Sequence, residues 1–361
     1  MVATAIPEQM LAAVYTGDSK VEVQEIATPP LGPGEVLIKV HACGICHTDL
    51  KKVEYNLLPP PRVFGHETAG EVVAVGDGVT NYAVGDRVVV FHHIPCGECF
   101  YCQRRLYAQC PTYKKVGVTA GYEAAGGGFA QYVRAMDWIV RRGMEKIPDG
   151  VSYDVATFVE PLNTVLKAVV GCDPKPGDVV LVMGQGPIGL MFTMLARRTG
   201  ATVIGTDMLE TRLALSRKCG ANLALRADSI EVRDQIAALT EGRGADIVFV
   251  AAHAPGIVDQ AFACSRPGAS IVLFAQTSNK ETFQVGGGDL VAGERRLVGY
   301  YSADVDLQKE SADLVFGGEL PLADLISHRF ALADIHTGIE QALHPDENSL
   351  KIVVQPQRWA E

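Results

Sequence analysis

At 361 residues the chain is long enough for two domains, each with its own core, and 48% hydrophobic with 20% charged residues is a globular composition. A formal charge of −10, without a Lys/Arg cluster, lacks the basic footprint that a nucleic-acid partner needs. Residues 1–10 hold Pro7 and Glu8 and no positive flank, so no signal peptide is expected. The longest apolar runs, such as residues 179–183, are strand-length, so no membrane partner is expected either. Nine cysteines in such a chain point to a reducing, cytoplasmic compartment where thiols serve metals rather than disulfides.

From the N-terminus to Pro161 the chain consists of short apolar runs broken by Gly and Pro, as at residues 36–40, 71–75 and 87–91. This stretch reads as a β-rich, barrel-like domain. Within it, Cys46-His47-Thr48-Asp49 and Gly65-His66-Glu67 place soft and borderline donors beside glycine turns. Cys46 and His66 are candidates for two ligands of an open zinc site, which keeps one position for water or substrate. Further on, Cys96, Cys99, Cys102 and Cys110 follow a C-x2-C-x2-C-x7-C spacing. Four thiolates on one short loop close a tetrahedral Zn²⁺ shell and leave no open position, so this second metal is expected to be structural.

After Pro161 the texture changes to alternating strands and helices. Strands are expected at residues 179–182, 202–205, 245–251 and 270–274, and helices at 188–198, 209–219 and 256–264. That alternation predicts βαβ units and a parallel sheet. Gly184-Gln185-Gly186-Pro187-Ile188-Gly189 joins the first strand to the first helix as G-x-G-x-x-G, the dinucleotide-binding turn whose helix N-terminus receives the pyrophosphate. Asp207 ends the next strand, where a carboxylate accepts the ribose hydroxyls and repels a 2′-phosphate, so NAD(H) is favoured over NADP(H). Arg212, a little further on, either flanks the adenine and blunts that preference or is a solvated helix residue. Beyond residue 300 the pattern becomes irregular and ends in an expected strand at residues 351–354.

Taken together, these motifs resemble the zinc-dependent medium-chain dehydrogenases of the alcohol dehydrogenase superfamily. Gly65-His66-Glu67-Thr68-Ala69-Gly70, with Gly76 and Val79 behind it, matches the family's zinc signature, and Gly44-Ile45-Cys46-His47-Thr48-Asp49 its first-ligand motif. The four-cysteine lobe and the glycine turn fall in the family's order, so the resemblance covers essentially the whole chain. It implies an α/β protein: a Rossmann doubly wound parallel sheet (residues 162–299) inserted in a GroES-like β-rich catalytic domain (residues 1–161 and 300–361, lobe 92–112). Relatives often place a cysteine ligand upstream of the glycine turn, at the position that Glu160 holds here, in Val159-Glu160-Pro161-Leu162-Asn163. A Glu-Pro-Leu motif resembles the sorbitol-like polyol and threonine dehydrogenase branch, so Glu67 and Glu160 are both candidate third ligands.

The activity implied is interconversion of a secondary alcohol or polyol and its ketone, with zinc as Lewis acid and NAD(H) as hydride carrier. Thr48 matches the relay hydroxyl and Thr164 a position near the nicotinamide. Lys51 replaces the histidine that often ends the relay, leaving His47, Lys51 or water as its continuation. Cys43 sits where many relatives have no ligand, so the metal is assigned to Cys46. Tyr122, Tyr300 and Tyr301 are candidate pocket liners. A threonine-type or simple secondary-alcohol dehydrogenase, a biosynthetic carbonyl reductase, and a cofactor-binding structural protein without turnover are the alternatives. The partners expected are a small alcohol or ketone and further copies of the chain, as tetramer or dimer.

Overall fold

A computed structural model describes residues 6–91, 94–113, 126–229, 231–275 and 282–358. The chain divides into two compact units: Met1–Pro161 with Ala303–Glu361, and Leu162–Ser302. The first division falls inside helix Val159–Cys172.

In the discontinuous unit, a seven-stranded sheet runs Ile326–Ala331, Lys351–Gln355, Val36–Gly44, Glu67–Val75, Arg87–Val90, Met144–Lys146, with Tyr132–Ala135 also pairing Val36–Gly44. Val36, Ile38 and Val40 alternate into a core shared with Val72, Val88, Val133 and Val354, the period-2 pattern of a strand with one face on the core. Two register shifts in the pairing of Val36–Gly44 with Glu67–Val75 let that long antiparallel pair bend. A three-stranded sheet, Lys20–Ala27, Gln9–Gly17 and Arg62–Val63, completes the β structure. The last strand of the chain, Lys351–Gln355, pairs antiparallel with Val36–Gly44, placing Val353 opposite Gly44. Segments from opposite ends of the sequence thereby share one sheet beside Cys46.

Leu162–Ser302 carries a six-stranded sheet in the order Leu223–Arg226, Thr202–Asp207, Val179–Met183, Ala245–Val250, Ser265–Leu273, Arg296–Gly299, parallel throughout. By sequence this is the 3-2-1-4-5-6 order of the doubly wound dinucleotide fold. Val179–Met183 is buried at every position because a parallel sheet is covered on both faces. The strand expected at 270–274 begins at Ser265, with the register irregularity between Ala245 and Ile247 absorbing the difference. Strands Leu223–Arg226 and Arg296–Gly299 and helix Glu231–Leu239 were not evident in the sequence, being short or weakly patterned. Residues Tyr153–Cys172 are long and apolar enough to cross a membrane by length and composition alone, but that window is 67% buried inside the molecule, as a core helix is.

Candidate active site

Cys46 is the N-cap of helix His47–Glu54, with extended backbone and its sulfur accepting from the Thr48 amide at 3.5 Å. The Cys46 sulfur therefore sits at the N-terminus of that helix, facing the backbone donor of its first turn. In the first turn, Asp49 is 2% exposed, and its two oxygens lie 3.0 and 2.9 Å from His66 Nδ1. A carboxylate on Nδ1 fixes that nitrogen as the donor and leaves Nε2 for a metal, the usual outer-shell arrangement of a metal histidine. Burial pushes the His66 imidazole down, but the Asp49 carboxylate and the Cys46 sulfur hold it well above its ordinary value. Metal binding then displaces a proton.

Glu67 opens strand Glu67–Val75 directly opposite Gly44 and is 1% exposed. One ligand atom each from Cys46, His66 and Glu67 all lie within 4.8 Å of one another. A half-buried thiol converging with a buried imidazole and a buried carboxylate, the imidazole oriented from behind, is a donor set that fits Zn²⁺. Glu160, second in helix Val159–Cys172, is not in that tight group, but it senses the same charges. Burial pushes its carboxyl up to about 7, with His66 opposing the shift and Glu67 adding to it. Lys351 is buried with Glu67, and its Nζ is ion-paired to Glu67 Oε2.

Around this group, Thr48 is half-buried, while His47 is exposed. Lys51 is half-buried in the next turn of the same helix. Cys43 is fully buried beside Thr68 Oγ1 at 3.6 Å, and burial pushes its thiol up, as for a core cysteine. Asp49 and Lys351 were not singled out from sequence. The i, i+3 spacing of Cys46 and Asp49 was the available signal for the first. No signal exists for the second, which reaches the site only through strand pairing.

The four lobe sulfurs, Cys96, Cys99, Cys102 and Cys110, also lie within 4.8 Å of one another, with Cys99–Cys102 at 3.5 Å and Cys96–Cys110 at 3.6 Å. Residues 92 and 93 of the lobe lie outside the described residues. All four cysteines are free, which suits a closed tetrathiolate shell. The lobe is fastened at its base: Tyr107 Oη donates to Asp306 Oδ2 at 2.8 Å, Arg105 Nε lies 3.3 Å from the same oxygen, and Tyr113 Oη donates to the Ala303 carbonyl.

In the other unit, strand Val179–Met183 ends at Gly184, whose φ of +93° requires glycine. A Cβ on Gly189 would overlap the Gly184 carbonyl oxygen, so helix Pro187–Arg198 can close on the strand only with glycine there. Nothing lies within 4 Å of where a Cβ on Gly186 would be, leaving the backbone open to a ligand. Pro187 takes the first helical position and Ile188 is half-buried behind it. Asp207 ends strand Thr202–Asp207 and ties the turn together, accepting from the Gln185 amide at 2.7 Å and from the Leu209 amide at 3.0 Å. Arg212 Nη1 lies 3.7 Å from the same carboxylate. Gln185, buried, bonds the Val182 carbonyl and Thr193 Oγ1 and so locks the turn to its helix. Thr164 is half-buried on helix Val159–Cys172. Tyr300 packs against that helix at Gly171 and Cys172, Tyr301 is 38% exposed, and Tyr122 lies outside the described residues.

Comparison with known proteins identifies the family. Residues 32–149 match the family model of the alcohol dehydrogenase GroES-like domain, and residues 187–316 that of the zinc-binding dehydrogenases. The chain is 29% identical to sorbitol dehydrogenase of Bacillus subtilis (strain 168) over 98% of its length and 99% of that protein. It is 34% identical to L-threonine 3-dehydrogenase of Pyrococcus horikoshii over 76% of its length and 78% of the relative. A zinc-binding dehydrogenase from Sinorhizobium meliloti 1021, solved with NADP bound, is 29% identical with a TM-score of 0.87, covering 97% of this chain and 100% of the other. The chain belongs to the zinc-dependent medium-chain dehydrogenases of the alcohol dehydrogenase superfamily, in the branch that contains the sorbitol and threonine dehydrogenases.

Proposed function

We propose that the protein oxidises a secondary alcohol or polyol, sugar-like or cyclitol-like, to its ketone and reduces NAD⁺, or runs the reverse. The convergence of Cys46, His66 and Glu67, with Asp49 orienting His66, carries this reading. Those side chains would hold a catalytic zinc, and Glu160 is the further candidate ligand. When bound there, zinc supplies Lewis acidity toward the substrate oxygen. Thr48, on the helix that Cys46 caps, is assigned the first hydroxyl of the proton relay. The glycine turn and the N-terminus of helix Pro187–Arg198 receive the pyrophosphate, with Gly184, Gly186, Pro187, Ile188 and Gly189 as its lining. Thr164 is assigned to the nicotinamide side. The Asp207 carboxylate disfavours a 2′-phosphate, so NAD(H) is the preferred cofactor, and Arg212 beside it moderates the preference. The four-cysteine lobe holds a structural zinc. We place the protein in the cytoplasm as a homo-oligomer, a tetramer or dimer.

The deciding experiment follows NADH formation by the zinc-loaded enzyme with polyols, sugars, aminoalcohols and simple secondary alcohols. Turnover is expected with a polyol or vicinal secondary alcohol. A preference for L-threonine would select the second reading, which the 34% identical relative favours. Cys46→Ala is expected to fold, bind NADH and lose turnover; full retained activity overturns the assignment. Asp207→Ser should shift the kcat/KM ratio toward NADP by about 10-fold or more, through the loss of charge repulsion against the 2′-phosphate.

A further inference from the structure

A lysine is among the costliest residues to bury, yet Lys351 is 6% exposed at the start of a strand that continues with Ile352, Val353 and Val354. Its Nζ has two partners: Glu67 Oε2, as an ion pair, and the Ile45 carbonyl at 3.2 Å, one residue before Cys46. The space the pair occupies belongs to a missing side chain. A Cβ on Gly44 would land on Glu67 Oε2 and 2.7 Å from Lys351 Cε. Gly44 faces Glu67 on one neighbouring strand and Val353 on the other. Three strands therefore cooperate to build a slot for one ion pair, and one member of that pair belongs to the Cys46–His66–Glu67 group.

We propose that Lys351 is a positioning residue that sets how Glu67 presents itself to the metal, an inference that rests on the assignment of a metal to Cys46, His66 and Glu67. By engaging Oε2 it leaves only Oε1 unshared, so Glu67 cannot grip a cation with both oxygens. The Ile45 carbonyl anchors the ammonium, and the absent side chain of Gly44 gives the pair its place. Glu67 is thereby kept a weak, one-oxygen partner. The metal stays exchangeable and retains room for substrate oxygen.

The test measures zinc affinity by chelator competition and the visible absorption of the cobalt(II)-substituted protein. Lys351→Met frees a buried carboxylate that must then find another cation. The variant is expected to bind zinc about 10-fold or more tightly and to show a changed cobalt spectrum. Lys351→Arg, keeping charge and donors, should restore both wild-type readings. In a Glu67→Gln background the lysine has nothing to position, so Glu67→Gln and Glu67→Gln/Lys351→Met should bind zinc equally; this pair also serves if Lys351→Met alone fails to fold. Equal or weaker zinc binding by Lys351→Met with an unchanged spectrum overturns the proposal. So does a further gain of affinity from Lys351→Met in the Glu67→Gln background, which would make Lys351 a source of plain repulsion. Cys46→Ala separates the layers: loss of one metal per chain upholds the site, and full retention overturns the metal assignment together with the inference built on it.

Discussion

Asp49 touches no expected ligand atom except through His66, and yet it is among the most buried charged groups of the site, 2% exposed. Replacing it by Asn keeps the shape but removes the charge that orients the imidazole. Asp49→Asn should lower zinc affinity by about 10–100-fold, read by chelator competition, with the fold retained on circular dichroism. Glu160 supports a different prediction. In the metal-free protein burial raises its carboxyl to about 7 from 4.5. The folded state then holds a proton that the unfolded state has released, so this group's contribution is complete below about pH 4.5 and is lost as pH rises to 7. Metal-free Glu160→Gln should therefore equal the wild type near pH 4.5 and exceed it by on the order of 3 kcal/mol at pH 8. Parallel stability curves for the two proteins would show that the carboxyl is not so placed.

At the scale of elements, the two proposed metal roles fall to the lobe and to helix His47–Glu54. The lobe's four cysteines lie on one loop that is fixed at its base to Asp306 and Ala303, and none of these anchors belongs to the Cys46 group. Cys102→Ala should lose one zinc per chain and lower Tm by on the order of 5–10 °C, while the protein that remains folded keeps its turnover. Full stability with lost turnover would refute that division. The helix, in contrast, owes its role to its first turn, which supplies Cys46 as N-cap, Thr48 and Asp49. Strand Glu67–Val75 supplies the rest of the ligand group through Glu67, next in sequence to His66.

Over the whole molecule, the proposed metal group and the glycine turn belong to different compact units, Cys46, His66 and Glu67 in one and residues 184–189 in the other. Removing metal with a chelator should abolish turnover and leave NADH binding, followed by fluorescence, at its original Kd. A parallel loss of NADH affinity would mean that the two are coupled. The discontinuous unit also explains why the chain's two ends must fold together: Lys351–Gln355 is an interior strand between Ile326–Ala331 and Val36–Gly44.

The parallel sheet, the glycine turn with Asp207, the four-cysteine lobe and the Cys46 and His66 motifs are all legible in the order of amino acids alone. Each is a local pattern: strand periodicity, a turn that only glycine can make, ligands close together in the chain. The short edge strands Leu223–Arg226 and Arg296–Gly299 escaped because so few residues carry too little periodicity to read. Glu67 and Glu160 remained equal candidates because nothing in a linear pattern says which distant carboxylate lies beside the Cys46 thiol. Packing in three dimensions grouped Glu67 with Cys46 and His66 and set Asp49 behind the imidazole. It also brought Lys351 to Glu67, a contact that arises from the pairing of strands at opposite ends of the chain and from the empty place at Gly44.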